Sequence, residues 1–131
     1  MGRVLRRLAS LALIAWITSG ATVWAADTTL HPLRIEITGG ADSHGEIVFS
    51  FFEDGVEITQ IQTPIPRGTP ENAVARRIRK EMRRMLPKEQ YEVELKGGEK
   101  LLISAHGHTK DFAVRLVRNT VNGTTVSIAR E

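Results

Sequence analysis

The residues best equipped for chemistry lie between Arg76 and Arg84. Here Arg76, Arg77, Arg79, Lys80, Arg83 and Arg84 meet a single acid, Glu81. Like charges four apart on a helix repel by a few tenths of a kcal/mol per pair, and Arg76 with Lys80 and Lys80 with Arg84 are such pairs. A segment that carries this cost suits an anionic partner: a phospholipid or lipopolysaccharide headgroup, a cell-wall polymer, nucleic acid or an acidic protein. Arg76, Arg79, Lys80, Arg83 and Arg84 are the expected anion-facing set. The competing reading is a solvated face whose arginines pair with Glu92, Glu94 or Glu99 on neighbouring strands.

His106-Gly107-His108 is a second candidate. Two residues apart on an extended strand, both imidazoles point the same way and would share a zinc or copper ion. Asp111 is close enough in sequence to be a third ligand, and His44 would have to fold over to join. Asp42-Ser43-His44 contains the residue types of a hydrolytic triad. Adjacency does not make three side chains converge, however, and no glycine-flanked nucleophile elbow surrounds Ser43. These residues read as part of a flexible glycine-bounded loop. Gly97-Gly98 lacks the spacing of a phosphate loop, and Asn122-Gly123-Thr124 is better explained as a turn than as a glycosylation acceptor. The chain is therefore expected to be non-enzymatic, with no cofactor.

The first 25 residues have the three parts of a secretory signal. Arg3, Arg6 and Arg7 form a positive start, residues 8–23 are mostly apolar, and Val23-Trp24-Ala25 offers small residues for cleavage after Ala25. Ser10, Thr18, Ser19, Gly20 and Thr22 dilute a run already short for a span of about 20 apolar residues. Cleavage and export from a bacterium, to the periplasm or beyond, are the expectation, with no membrane span left afterwards. The whole chain holds 18 basic against 15 acidic residues, a net charge of +3. Removing the three leader arginines leaves a balanced domain, so general affinity for nucleic acid is not expected. The absence of cysteine excludes disulfides, thiolate metal ligands and lipidation at a cleavage-site cysteine. About 106 residues remain, enough for one domain with its own core.

Those residues must form the elements that position the cations. Residues 26–32 read as an extended leader and 33–131 as a single domain. Residues 33–38 alternate apolar and polar, as a half-buried strand does, whereas residues 47–52 are apolar on both faces and suit a central strand. Asp54-Gly55 marks a hairpin. The strand after it slips phase near Gln60-Ile61, predicting a bulge before Pro64 and Pro66 close it. Thr69, Pro70 and Glu71 predict a helix start, with Thr69 as cap, and Pro87 predicts its end. At 100° per residue Val74, Ala75, Ile78, Met82, Met85 and Leu86 share one arc, and the cations fill much of the remainder. Hairpins are expected at Gly97-Gly98 and at Asn122-Gly123. The resulting order is β-β-β-α-β-β-β-β, an α+β domain with an antiparallel-rich sheet of about seven strands and one amphipathic helix.

Residues Ile65-Pro66-Arg67-Gly68-Thr69-Pro70-Glu71-Asn72-Ala73-Val74-Ala75-Arg76-Arg77-Ile78 resemble a recurring segment of phage tail and other virion structural proteins. In those a strand ends in a Pro-Gly-Thr turn, opens an alanine-rich helix, and further strands follow. The likeness extends over about residues 61–103. It implies a small interaction or assembly module and carries over no catalytic residue. The arginine-loaded helix and the leader depart from that pattern.

Overall fold

The computed structural model describes residues 32–106 and 111–131. The expected leader, residues 26–31 and His108 lie outside the described residues. The remainder is α+β, in the order read from the sequence: β1 (Leu33–Thr38), β2 (Gly45–Glu53), β3 (Val56–Ile65), α1 (Glu71–Met85), β4 (Tyr91–Lys96), β5 (Lys100–Ala105), β6 (Phe112–Asn119) and β7 (Thr125–Arg130).

The strands divide between two antiparallel sheets, ordered β4-β5-β1-β7 and β3-β2-β6. Burial patterns explain who sits in the middle. Leu33, Ile35 and Ile37 of β1 are buried while Arg34 and Glu36 are only partly so, and β1 lies between β5 and β7. Residues 47–52 of β2 are buried on both faces, and β2 is the centre of the three-stranded sheet. In β3, an outer strand, Pro64 stays within the ladder opposite Glu46, since an edge position does not need every N–H. The register of β2 against β3 shifts at Phe51/Phe52. The bulge therefore falls at Ile58, slightly before the expected Gln60-Ile61. Asp54 and Gly55 adopt φ of 49° and 80°, as a tight hairpin with the strands' own twist requires.

Asn122-Gly123 does not form the expected hairpin, because β6 and β7 lie in different sheets. The turn steps the chain from one sheet to the other, with Val121 and Thr124 buried on either side. Tertiary anchors override the local signal: the Asp42 N–H donates to the Asn122 carbonyl at 2.8 Å. Farther along, Arg130 on β7 donates to the Phe112 carbonyl on β6, and its guanidinium lies 4.8 Å from the Phe112 ring centre. That contact joins the sheets without a shared ladder.

α1 packs chiefly on β3 and β4, one outer strand of each sheet. Val74, Ala75, Ile78 and Met82 are buried beneath it, and Leu86 follows them inward. Removing Val, Ile and Met side chains from water is worth about 1.5–3 kcal/mol each, so a charge at Ile78 would detach the helix. Met85, the outermost member of the expected apolar arc, stays 38% exposed. Thr69 is not the helix cap. Its hydroxyl donates back to the Pro66 carbonyl at 2.6 Å, and Pro70 occupies the cap position. The core is closed by an aromatic group, with Phe51 stacked on Phe112 at 5.6 Å and Tyr91 edge-on to both at 4.9 and 5.4 Å.

Candidate functional site

The helix cations lie on two stripes. Arg76, Arg79, Lys80 and Arg83 recur at helical spacing on one, flanking a depression of about 320 Å³. Arg77 and Arg84 share the other with Glu81, whose carboxylate takes a two-pronged contact from Arg84 at 2.7 and 3.1 Å. The remaining five are different. Among the described residues no carboxylate lies within ion-pair distance of Arg76, Arg77, Arg79, Lys80 or Arg83. The acids expected to cover them point elsewhere: Glu92 lies 3.8 Å from His106, and Glu94 lies 3.8 Å from Lys96.

A larger cleft, about 830 Å³, opens where the last turns of α1 meet β4. Lys80, Arg83, Arg84 and Lys88 supply its cationic wall, Leu86, Tyr91 and Val93 its apolar floor, and Glu92 with His106 the far rim. The helix stops here because Pro87 cannot continue it, and the chain turns through Tyr91 N–H to the Pro87 carbonyl at 3.0 Å. That turn swings Lys88 beside the helix cations. Sequence reading placed neither Lys88 nor Tyr91 in the site. The signal for Lys88 was its position just past a helix stop, within one turn of Arg84.

Tyr91 ties the cleft to the core. Its hydroxyl donates to Glu53 Oε2 at 2.6 Å. Burial, followed by the hydrogen bond to Glu53 and the negative charges of Glu53 and Asp54, pushes its pKa well above the ordinary value of 10.0. A neutral phenol that donates to a carboxylate is a fixed strut; it does not act as a proton carrier near neutral pH.

The histidines are separated. The His44 Nδ1 accepts the Arg67 N–H at 3.1 Å, at the start of β2. Asp111 lies beside the other end of β2, its carbonyl accepting the Asp54 N–H at 2.8 Å. These positions are roughly 25 Å apart, the length of β2 at about 3.3 Å per residue. His106 faces Glu92 across the cleft rim. No group of three or more potential ligands (His, Cys, Asp or Glu) gathers among the described residues. The four-residue set His44, His106, His108 and Asp111 is thus not assembled by the described part of the fold.

The loop at residues 39–45 is an anchored hub, not the flexible loop its glycines suggested. Gly39 N–H donates to Glu71 Oε2 at 2.7 Å, and Ala41 N–H to the Thr69 carbonyl at 2.8 Å. Ser43 Oγ accepts the Asn122 N–H at 3.0 Å. Ser43 and His44 are each engaged with backbone from a different loop, so Asp42-Ser43-His44 is a bracing segment. A Cβ on Gly39 would overlap the Gly123 carbonyl oxygen, and both glycines hold φ of 88°. Only glycine permits that backbone approach.

Fold and cleft together define a two-sheet α+β domain with a cationic groove along one helix. No protein-family model matches the chain, and no curated protein or solved structure matches it either. Among the described residues no helix is long and apolar enough to cross a membrane.

Proposed function

We propose that this chain is a small, non-enzymatic binding module of the bacterial envelope, exported to the periplasm or beyond, which engages an anionic partner through the cationic face of α1. One observation carries the reading. Five adjacent basic side chains on α1 have no internal counter-charge among the described residues, and three of the helix cations open onto a cleft with an apolar floor. Exposed unpaired charges cost a folded domain a little through mutual repulsion; a bound anion removes that cost and adds charge-assisted hydrogen bonds. Arginine's planar fork suits carboxylate and phosphate alike. The leader read at residues 1–25 supports export, and the balanced charge of the rest supports a local site over bulk attraction to nucleic acid.

Two measurements test the reading together. The protein is passed over immobilised polyaspartate and over anionic phospholipid vesicles, alongside a variant with Arg76, Lys80 and Arg83 all changed to Glu. Retention of the parent at moderate salt on at least one surface, and at least tenfold weaker retention of the variant, is the expected result. Equal retention of the two proteins, or none by the parent, removes the idea. A variant with Arg67, Lys96 and Lys100 all changed to Glu controls for net charge, since Arg67 is exposed ahead of α1 and both lysines lie at the far hairpin of β4 and β5.

A further inference from the structure

We infer that the partner of this cleft is an extended acidic polypeptide, added as a further strand to the free edge of β4 and carrying acidic side chains at alternate positions. The inference rests on the anion-binding reading above and narrows it to one kind of ligand.

The first observation is the edge. β4 ends its sheet and pairs only with β5. The His106 N–H donates to the Gln90 carbonyl at 2.9 Å, which fixes the parity of the ladder. Backbone groups of Gln90, Glu92, Glu94 and Lys96 point towards β5, so those of Tyr91, Val93 and Leu95 point away from it. Apart from Tyr91 N–H, which the Pro87 carbonyl takes, these outward groups have no backbone partner among the described residues. They form a row of alternating donors and acceptors, the template on which an extended peptide adds.

The second observation is what flanks that row. Tyr91 and Val93 lie in the cleft floor, and Lys80, Arg83, Arg84 and Lys88 stand along it. Native edges are often blunted with lysine, proline or a covering loop; here the cations stand beside the edge on the helix, and β4 holds only Lys96, at its far end.

Charge then sets the ligand's pattern. Side chains of an added strand alternate between the two faces of the sheet. On the core side, where Tyr91 and Val93 point, they meet the helix cations. On the opposite side they meet Glu92 and Glu94, which leave β4 outward. Acidic residues are favoured at every second position and repelled at the positions between, because like charges directly opposite on neighbouring strands destabilise the pair. A lipid headgroup or a nucleic acid can accept from an N–H here and there, but lacks the donors and acceptors repeating at strand spacing that would match the whole row.

The test uses three synthetic eight-residue peptides and the purified protein. One alternates Asp with Thr. The second has the same composition with all four Asp in a block. The third keeps the alternating sequence but is N-methylated at every peptide bond, which removes all of the backbone donors at unchanged charge, whichever way the strand runs. The alternating peptide is expected to bind at least tenfold more tightly than either control, and to slow amide exchange at Val93 and Leu95. The variant Val93→Pro, which loses an N–H that no ladder bond uses, should weaken it by a similar factor. Amide exchange in the free variant reports whether its fold is intact. Equal affinity for all three peptides would overturn strand addition while leaving an anion-binding surface standing. Binding to anionic vesicles in preference to every peptide would overturn a polypeptide partner. Binding to neither peptides nor vesicles would remove the underlying reading as well.

Discussion

At its N-terminal end α1 meets the loop of residues 39–45, and at its C-terminal end it meets the cleft beside β4. The first region is closed. Gly39, Ala41 and Asp42 direct their N–H groups to Glu71, Thr69 and Asn122, and Gly68 returns one to Ala41, all at 2.7–2.8 Å. The second region is open. Lys80, Arg83 and Lys88 have no carboxylate in ion-pair range among the described residues, and the outward backbone of Val93 and Leu95 has no backbone partner there. One helix thus connects a set of groups satisfied internally with a set left for something else. On the proposed function, stability and binding are allotted to opposite ends, and substitutions at each should act on one property and spare the other.

The sharpest break in that division is Gly39→Ala. The added methyl meets the Gly123 carbonyl, and φ of 88° is strained for any side chain. A loss of roughly 3 kcal/mol is expected in urea unfolding, with retention on the anionic surfaces unchanged for whatever fraction stays folded. Glu71→Ala comes next. It strands the Gly39 N–H that Glu71 accepts and removes an acid from the first turn, which should cost about 1.5–3 kcal/mol. A loss below a few tenths would show that the helix start does not depend on the hub.

Tyr91 stands between the two regions and sharpens the contrast through pH. Its folded pKa is raised, so the contribution of the Glu53 bond is fully present below pH 10. As pH rises beyond that, the unfolded chain loses the phenolic proton first, and stability falls towards the raised folded value. Tyr91 is the chain's single tyrosine, so its absorbance titration should stay flat past pH 10 until the protein unfolds. Tyr91→Phe should cost about 1 kcal/mol near neutrality and abolish the alkaline slope. Smallest of all is Lys80→Gln. It relieves two like-charge pairs and should stabilise the domain by a few tenths of a kcal/mol at low salt, an advantage that added salt erases. Meanwhile the same change should weaken binding to polyaspartate several-fold. A destabilised Lys80→Gln would mean that the cation has an internal role after all.

Much of the frame was readable in the residues because it depends on local pattern. Period-two burial in residues 33–38, apolar content on both faces of 47–52, and the stop at Pro87 all describe elements that exist for short-range reasons, and each is present. Asn122-Gly123 shows where local pattern stops. The dipeptide favours a hairpin, but its flanking strands are claimed by different sheets, a choice made by partners 59 to 97 residues away in β1 and β2. Thr69 is a similar case: a good capping residue whose hydroxyl is taken by the Pro66 carbonyl.

The site divides along the same line. The arginines, their spacing and the apolar face beneath them followed from composition and helical geometry alone, since side chains three and four apart must share a face. Whether acids elsewhere would neutralise them did not follow, because which strands flank α1, and so which carboxylates come within its reach, is set by the order of the sheets. Nor did the meeting of Lys88, Tyr91 and the β4 edge with those cations. Which strand is left unpaired depends on how all seven are ordered, and pairing over such separations is settled by the packing of the whole core around Phe51, Phe112 and Ile78. Local sequence determined what the helix carries; only the tertiary arrangement decided what it carries it beside.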